Sequence, residues 1–426
     1  MEFRSEMFLC MIFGAGLLLV EGVTIPQVNP GVGVDIGLNG GIASANLKLG
    51  GMQEFEICNA DTDDDVGLCT NKNTCENANG VVAGECNKAG NAVGGENVLI
   101  CCKKITTGGE DLSSVIFYYR NPNWPLEDRN DLSSNLKISV RRGVCQLRLD
   151  FLTFELPRPD NTGRCTAQNS MAIMAPGAPL GVLGGRNSRL CGLNTKSHLY
   201  IPASAGDSVQ IITTLSGTVA VPLSRANLAF SSSTAYKWNI MITQVECDST
   251  NSYFRELEAP TSCLQWFTES FGSFSSFNFD ATAYFAPDQD YAICIRNQGN
   301  NPGSRTCGVT LRATNFGLPV FGDDLPACGL GYETVNEAAG RECCLNPSSS
   351  YLGFVARLPN PKYGNKMATK RYWCGAQLGR TGQISSSTEP YVIKVFSGQY
   401  SSDLSKYTEF PPVGFSIDYK IDTGIC

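Results

Sequence analysis

The side chains of this chain with the strongest chemistry are its cysteines. There are 19, against a single histidine, His198. A set this dense serves metal ligation, nucleophilic catalysis or disulfide bridging. No CxxC is followed by a second CxxC, so zinc is disfavoured. One imidazole excludes His-rich metal sites and any mechanism that needs two. No Walker loop, GxSxG elbow, HExxH, adjacent Cys/His pair or GDSGG-like loop occurs. Two acidic groups facing a common cleft would be the remaining route to hydrolysis. These residues argue for bridges and against catalysis.

Bridges need an oxidising compartment. The apolar run from Met7 to Val20 is too short to span a bilayer. Val20 and Gly22 suit a signal peptidase, so residues 1–22 read as an export signal. Cys10 leaves with it, and 19 less one gives an even 18. No later stretch is long and apolar enough to suggest a membrane span. A net charge of -7 speaks against nucleic acid. No N-x-[ST] sequon is present, so no N-glycan is expected.

The elements that must position the cysteines differ along the chain. Residues 23–57 are rich in Gly and Asn and read as a flexible leader. Residues 58–102 hold Cys58, Cys69, Cys75, Cys86, Cys101 and Cys102, a block too short to build a core without staples. Its six cysteines permit about 15 pairings. Residues 103–114 read as a linker. From Val115 on, short runs such as VCQLRLDF and YKWNIMITQVEC alternate between Gly, Pro and Asn turns. This period of two predicts half-buried antiparallel strands and a β-sandwich architecture.

The second half repeats the first. CQLRLDFLTFELP (145–157) aligns without gaps to CGVTLRATNFGLP (307–319). RLCG (189–192) matches YWCG (372–375), and KWNIMITQVEC (237–247) matches GFSIDYKIDTGIC (414–426). The expected units are 115–247 and 263–426, joined by a linker over 248–262. Equivalent units should use equivalent bridges, which predicts Cys145–Cys247 and Cys307–Cys426. Cys165–Cys191 corresponds to Cys374 with either Cys343 or Cys344, the other taking Cys328. Cys263–Cys294 uses the rest.

The opening turn FYYRNPNWP (117–125), the strand CQLRLDF, the Cys191-Gly192 pair and the closing strand GFSIDY resemble CUB domains. The six-cysteine spacing with its adjacent final pair resembles arthropod clip domains, although Lys103 stands where a proline is usual. That resemblance implies Cys58–Cys101, Cys69–Cys86 and Cys75–Cys102. The whole chain resembles arthropod secreted CUB-domain proteins. It implies an all-β fold: two tandem CUB-type antiparallel β-sandwiches preceded by a small disulfide-rich clip-like module.

Many CUB domains bind calcium through an acidic cluster. The corresponding position is Gln168 in the first copy and Asn346 or Pro347 in the second. Glu127, Asp128 and Asp207 are stray acids, so calcium is disfavoured. No cofactor is expected. Trp124, between Asn123 and Pro125, is the candidate ligand contact, because loop aromatics anchor recognition. His198 reads as a structural histidine at a strand start. The acidic run Asp61, Asp63, Asp64 and Asp65 reads as a solvated loop. The expected function is non-catalytic extracellular recognition of a protein or carbohydrate. Alternatives are a self-associating matrix or secretion component, and a cofactor or inhibitor of a protease cascade.

Overall fold

Period-two alternation between turn residues yields strands almost throughout the computed structural model. It describes residues 56–61, 65–86, 99–160, 163–176, 189–216, 235–279, 285–297, 306–318, 350–357, 367–374, 378, 382–387, 391–398 and 413–423, with the backbone of four strands before them. The chain divides into Met1–Glu54 and Phe55–Cys426. In the first unit, β1 (Met11–Phe13) pairs with β2 (Gly16–Leu18), and β3 (Asp35–Asn39) with β4 (Ile42–Asn46). The expected leader thus carries a ladder. Gly40-Gly41 separates its strands, a two-residue hairpin signal.

The second unit opens with β5 (Ile57–Asn59), β6 (Val66–Thr70), α1 (Lys72–Asn77), β7 (Gly80–Glu85) and β8 (Ile100–Thr106). Asn71 caps α1, its Oδ1 accepting the Thr74 N–H at 2.7 Å. Cys58–Cys101, Cys69–Cys86 and Cys75–Cys102 staple this block, with Cα separations of 5.7, 5.9 and 5.7 Å.

Nine strands follow: β9 (Asp111–Leu112), β10 (Ile116–Arg120), β11 (Leu132–Ser139), β12 (Val144–Glu155), β13 (Ser170–Met174), β14 (Arg189–Leu190), β15 (His198–Pro202), β16 (Ser208–Leu215) and β17 (Lys237–Glu246). After α2 (Ser252–Leu257), nine more complete the chain: β18 (Cys263–Phe267), β19 (Phe271–Ser275), β20 (Asp290–Ile295), β21 (Thr306–Gly317), β22 (Tyr351–Arg357), β23 (Met367–Trp373), β24 (Gln383–Ser386), β25 (Tyr391–Phe396) and β26 (Gly414–Thr423).

The two sets share one topology. The first forms sheets β15-β12-β17-β10 and β14-β13-β16-β11-β9; the second forms β24-β21-β26-β19 and β23-β22-β25-β20-β18. In each, the long central ladder carries two register shifts at equivalent places. They fall at Val144/Gln146 and Phe151/Thr153 in β12, and at Thr306/Gly308 and Ala313/Asn315 in β21. The residue left out at the first shift is a cysteine both times, Cys145 and Cys307. Cys145 is bonded to Cys247, Cys165 to Cys191 and Cys263 to Cys294. Cys307 and Cys374 are also disulfide-bonded. Cys328, Cys343, Cys344 and Cys426 lie outside the described residues.

Neither expected linker is a mere connection. Residues 103–106 belong to β8, which pairs in parallel with β10 through Tyr118↔Ile105 and Tyr119↔Thr106. The first sandwich's four-stranded sheet thereby extends to eight strands. Alternate burial of Cys101 and Lys103 drives this continuation past the last cysteine. Within 248–262, α2 buries Phe254 against Val115 and Ile116, with Ile57, Val66 and Leu68 alongside. That second apolar cluster glues the six-cysteine block to the sheet's outer face.

The acidic loop also departs from expectation at its last member. Asp65 is buried, its carboxylate held by Lys103 at 3.1 Å and Arg120 at 2.5 Å. The Tyr118 hydroxyl, one strand position before Tyr119, meets Val66 N and O. A buried acid is tolerated here because two cations and a local backbone fold satisfy it.

A polar seam joins the two sandwiches. Gln265 Nε2 donates to Ser197 Oγ and the His198 carbonyl, and the Trp266 N–H donates to His198 Nε2 at 2.9 Å. Asn194 and Asn278 bond reciprocally, and Arg164 meets Asp288 at 2.7 Å. His198 begins β15 and is buried against Phe267 and Tyr200. Accepting a backbone N–H on Nε2 places the ring proton on Nδ1. Burial, then the Arg148 charge, holds its pKa well below 6.5.

Two outcomes are expected. Asp65→Ala removes the buried carboxylate shared by Lys103 and Arg120 and should cost about 3–5 kcal/mol in urea unfolding. Breaking the exposed Lys72–Glu76 pair should cost under ~0.5 kcal/mol; equal effects would disprove the role of Asp65. His198 stays neutral in the fold while the unfolded chain protonates near pH 6.5. Its stabilisation is therefore complete above that pH and falls below it by about 1.4 kcal/mol per pH unit, until the folded pKa is reached. His198→Gln should flatten the stability-against-pH curve just below pH 6.5, and an unchanged slope would refute the assignment.

Candidate functional site

Loop 121–128 follows β10 and lies beside the start of β17. Asn and Pro residues end the strand, and the buried Asn121 replaces the lost ladder. Asn121 N donates to the Trp238 carbonyl at 3.2 Å, and Trp238 N donates back to Asn121 Oδ1 at 3.1 Å. Its Nδ2 reaches the Leu126 carbonyl at 2.9 Å and Asp128 Oδ2 at 2.8 Å. Asp128 Oδ2 also accepts the Asn123 N–H, while Oδ1 accepts Asn123 Nδ2. Backbone bonds Trp124 N to Asn121 O and Leu126 N to Asn123 O close two turns. Asp128 and Tyr236 exchange backbone hydrogen bonds at 2.9 Å each way. The loop is thus pinned at both ends and across its middle.

Aromatic packing supports it from below. Tyr236 stacks on Trp238 at 5.7 Å, and Tyr119 lies 5.5 Å from Trp238. The Tyr236 hydroxyl donates to the Asn130 carbonyl. Burial, with the Asp128 and Asp131 charges, pushes the Tyr236 pKa up to about 12. It remains a neutral donor at physiological pH.

Trp124 sits half-buried on this platform. The Arg120 guanidinium lies 5.6 Å from its ring centroid and Lys237 Nζ 5.1 Å. Two cations against one indole fix its orientation. Leu126 beside it is 70% exposed. An oriented Trp and an exposed Leu on this loop, flanked by Lys237 of β17, form a surface suited to contact with a macromolecule. Sequence reading reached Trp124 but missed Leu126 and Lys237. An isolated leucine between Pro125 and Glu127 was the available signal.

The calcium question turns on donor chemistry. Both Asp128 oxygens accept amide hydrogens, Asp207 Oδ2 accepts the Ser204 N–H, and Glu127 meets Arg129 at 3.5 Å. Gln168 supplies an amide where a carboxylate would be expected of a calcium donor set. Asn346 and Pro347 lie outside the described residues. Among the described residues, the triads of metal-ligating side chains are Cys58/Cys69/Cys86 and Cys145/Cys247/Glu258. Every cysteine in them is disulfide-bonded.

The aromatic residues at 271–279 divide between core and surface. Phe274 and Phe277 are core, Phe279 is half-buried, and Phe271 is exposed.

Residues 260–422 match the family model described as Animal CUB domain. A comparison with curated proteins finds no match. Among solved structures, the chain is similar to the CUB1-EGF-CUB2 domain of human MASP-1/3, at 13% identity and a TM-score of 0.23, covering 72% of this chain and 100% of that one. It is similar to the CUB1-EGF-CUB2 domains of rat MASP-1, at 12% identity and a TM-score of 0.22, covering 73% and 99%. The full extracellular region of zebrafish Gpr126/Adgrg6 matches at 10% identity and a TM-score of 0.23, covering 74% of this chain and 37% of that one. No helix among the described residues is long and apolar enough to cross a membrane. The chain is a CUB-domain-containing protein, its animal CUB domain at residues 260–422.

Proposed function

We propose that this protein is a secreted, non-catalytic recognition protein that binds an extracellular protein or carbohydrate through the face around Trp124. The oriented indole beside an exposed leucine carries this reading. CUB domains generally mediate extracellular interactions, which agrees with it. The disulfides support an oxidising compartment. The first sandwich is read as a second CUB domain and the six-cysteine block as a clip-like module. Recognition is read as metal-independent, since Asp128 and Asp207 accept amide N–H groups and Glu127 meets Arg129.

Fusion of the six-cysteine block into the first sheet bears on the alternatives. A protease-directed module would be expected to present its own surface. Here Tyr118, Arg120 and β8 tie it to the sandwich. The recognition reading therefore places contact on the composite unit.

The test is a crosslinking pull-down from extracellular fluid with purified mature protein, in calcium and in chelator. A specific partner should be retained in both. Trp124→Ala and Leu126→Asp should each weaken its capture by about tenfold or more, as buried anchors do, with unfolding midpoints unchanged. A partner lost in chelator would overturn the metal-independent claim. Capture indifferent to both substitutions would overturn the Trp124 face.

A further inference from the structure

The duplicated topology makes one difference between the halves informative. β10 and β19 are equivalent edge strands of their four-stranded sheets. Ile116 stands opposite Thr243 as Phe271 stands opposite Lys420. Asn121 N and Ser276 N donate to the equivalent carbonyls of Trp238 and Phe415. The Asn121 Oδ1 and Ser276 Oγ atoms accept the N–H groups of those same residues.

Their outer sides are treated differently. β10 is covered by the parallel strand β8, and Ile116 is buried against α2 and the six-cysteine block. β19 ends its sheet among the described residues, and Phe271 is 72% exposed. The strand reads FGSFS, without the charge or proline that ordinarily blunts an edge. Behind it, Asp418 and Lys420 are exposed, so the outer face is solvated and only the edge with Phe271 is apolar.

We infer that β19 is a second interaction surface, which receives an extended segment of a partner polypeptide added in parallel, with an apolar side chain seated on Phe271. The first repeat supplies the precedent: the same edge, in the same register, takes a parallel strand with an apolar neighbour. Main-chain hydrogen bonds provide the affinity of such strand addition, and alternate side chains its selectivity. The chain's own six-cysteine block from a second copy is not the occupant. Its anchors on β10 are Tyr118, which binds Val66, and Arg120, which binds Asp65. The equivalent residues of β19 are Ser273 and Ser275, which supply neither contact. The segment fitted here is uncharged, rich in β-branched or aromatic residues, and free to lie extended.

The experiment uses the full mature chain with the photoreactive analogue p-benzoylphenylalanine at position 271, irradiated in extracellular fluid. The expected adduct maps to one contiguous apolar segment of a partner. It should fall by about tenfold in a chain also carrying Ser273→Lys and Ser275→Lys, because charges guard edges. Unfolding midpoints verify that this variant folds, and Phe271→Ser should lower capture of the same partner without any lysine. The adduct should persist in Trp124→Ala, so failure here and failure of the Trp124 face are separate results. No adduct, an adduct to a second copy, labelling scattered over many proteins, or labelling indifferent to the lysines would each overturn the inference.

Discussion

Each sandwich depends on a mismatch of length at its centre. A twelve-residue strand, β12 or β21, faces a ten-residue one, β17 or β26. The two extra residues are absorbed as bulges, which bend the strand and change which face later side chains occupy. The first bulge releases a cysteine from the ladder, and in the first sandwich that cysteine reaches Cys247 just beyond the end of β17. The second turns Leu152 outward, half in solvent. A one-residue slip would move every core residue to the wrong side. With two bulges and, in the first sandwich, a covalent pin, the register has no near alternative. The edge strands, the opening loop and the seam all take their positions from this ladder.

That phase change was written in the chain. Leu147, Leu149 and Phe151 alternate, then Phe154 and Leu156 resume one residue late. Val309 and Leu311 give way to Phe316 and Leu318 in the same manner. The duplication and the strand positions were legible because apolar spacing and cysteine placement are local properties. Among the described residues, Cys145–Cys247 and Cys165–Cys191 are pairs suggested by equivalence, the bridges of 58–102 are those the clip resemblance implies, and Cys263–Cys294 is the pair that remained. The final match of 237–247 to 414–426 is offset at its end: Glu246 and Thr423 hold equivalent ladder positions, so Cys426 falls two residues beyond the position of Cys247.

Long-range partnerships were less legible. Nothing near Asp65 announces that Lys103 and Arg120 will converge on it, since the three are brought together by a parallel strand pairing. The same holds for the seam. His198 reads as structural from its strand-start position, but Gln265 and Trp266 carry no mark of their partner. The linker over 103–114 failed as a reading because a disulfide block seemed to end at its last cysteine. Burial continues through Lys103 and Thr106 instead. Of the Trp124 face, the residue type was visible. Its orientation was not, because Arg120 and Lys237 come from separate strands.

Arg120 belongs to two structures at once. Its guanidinium grips Asp65 in the six-cysteine block, its Nε donates to Asn239, and its planar group lies against Trp124. One side chain thus sits on the thermodynamic path between a docked module and a contact loop. Whatever moves the indole and shifts that guanidinium changes the strength of the module's attachment. Reciprocity requires the same free energy in the other direction. The six-cysteine block and the Trp124 loop are therefore energetically coupled through one guanidinium.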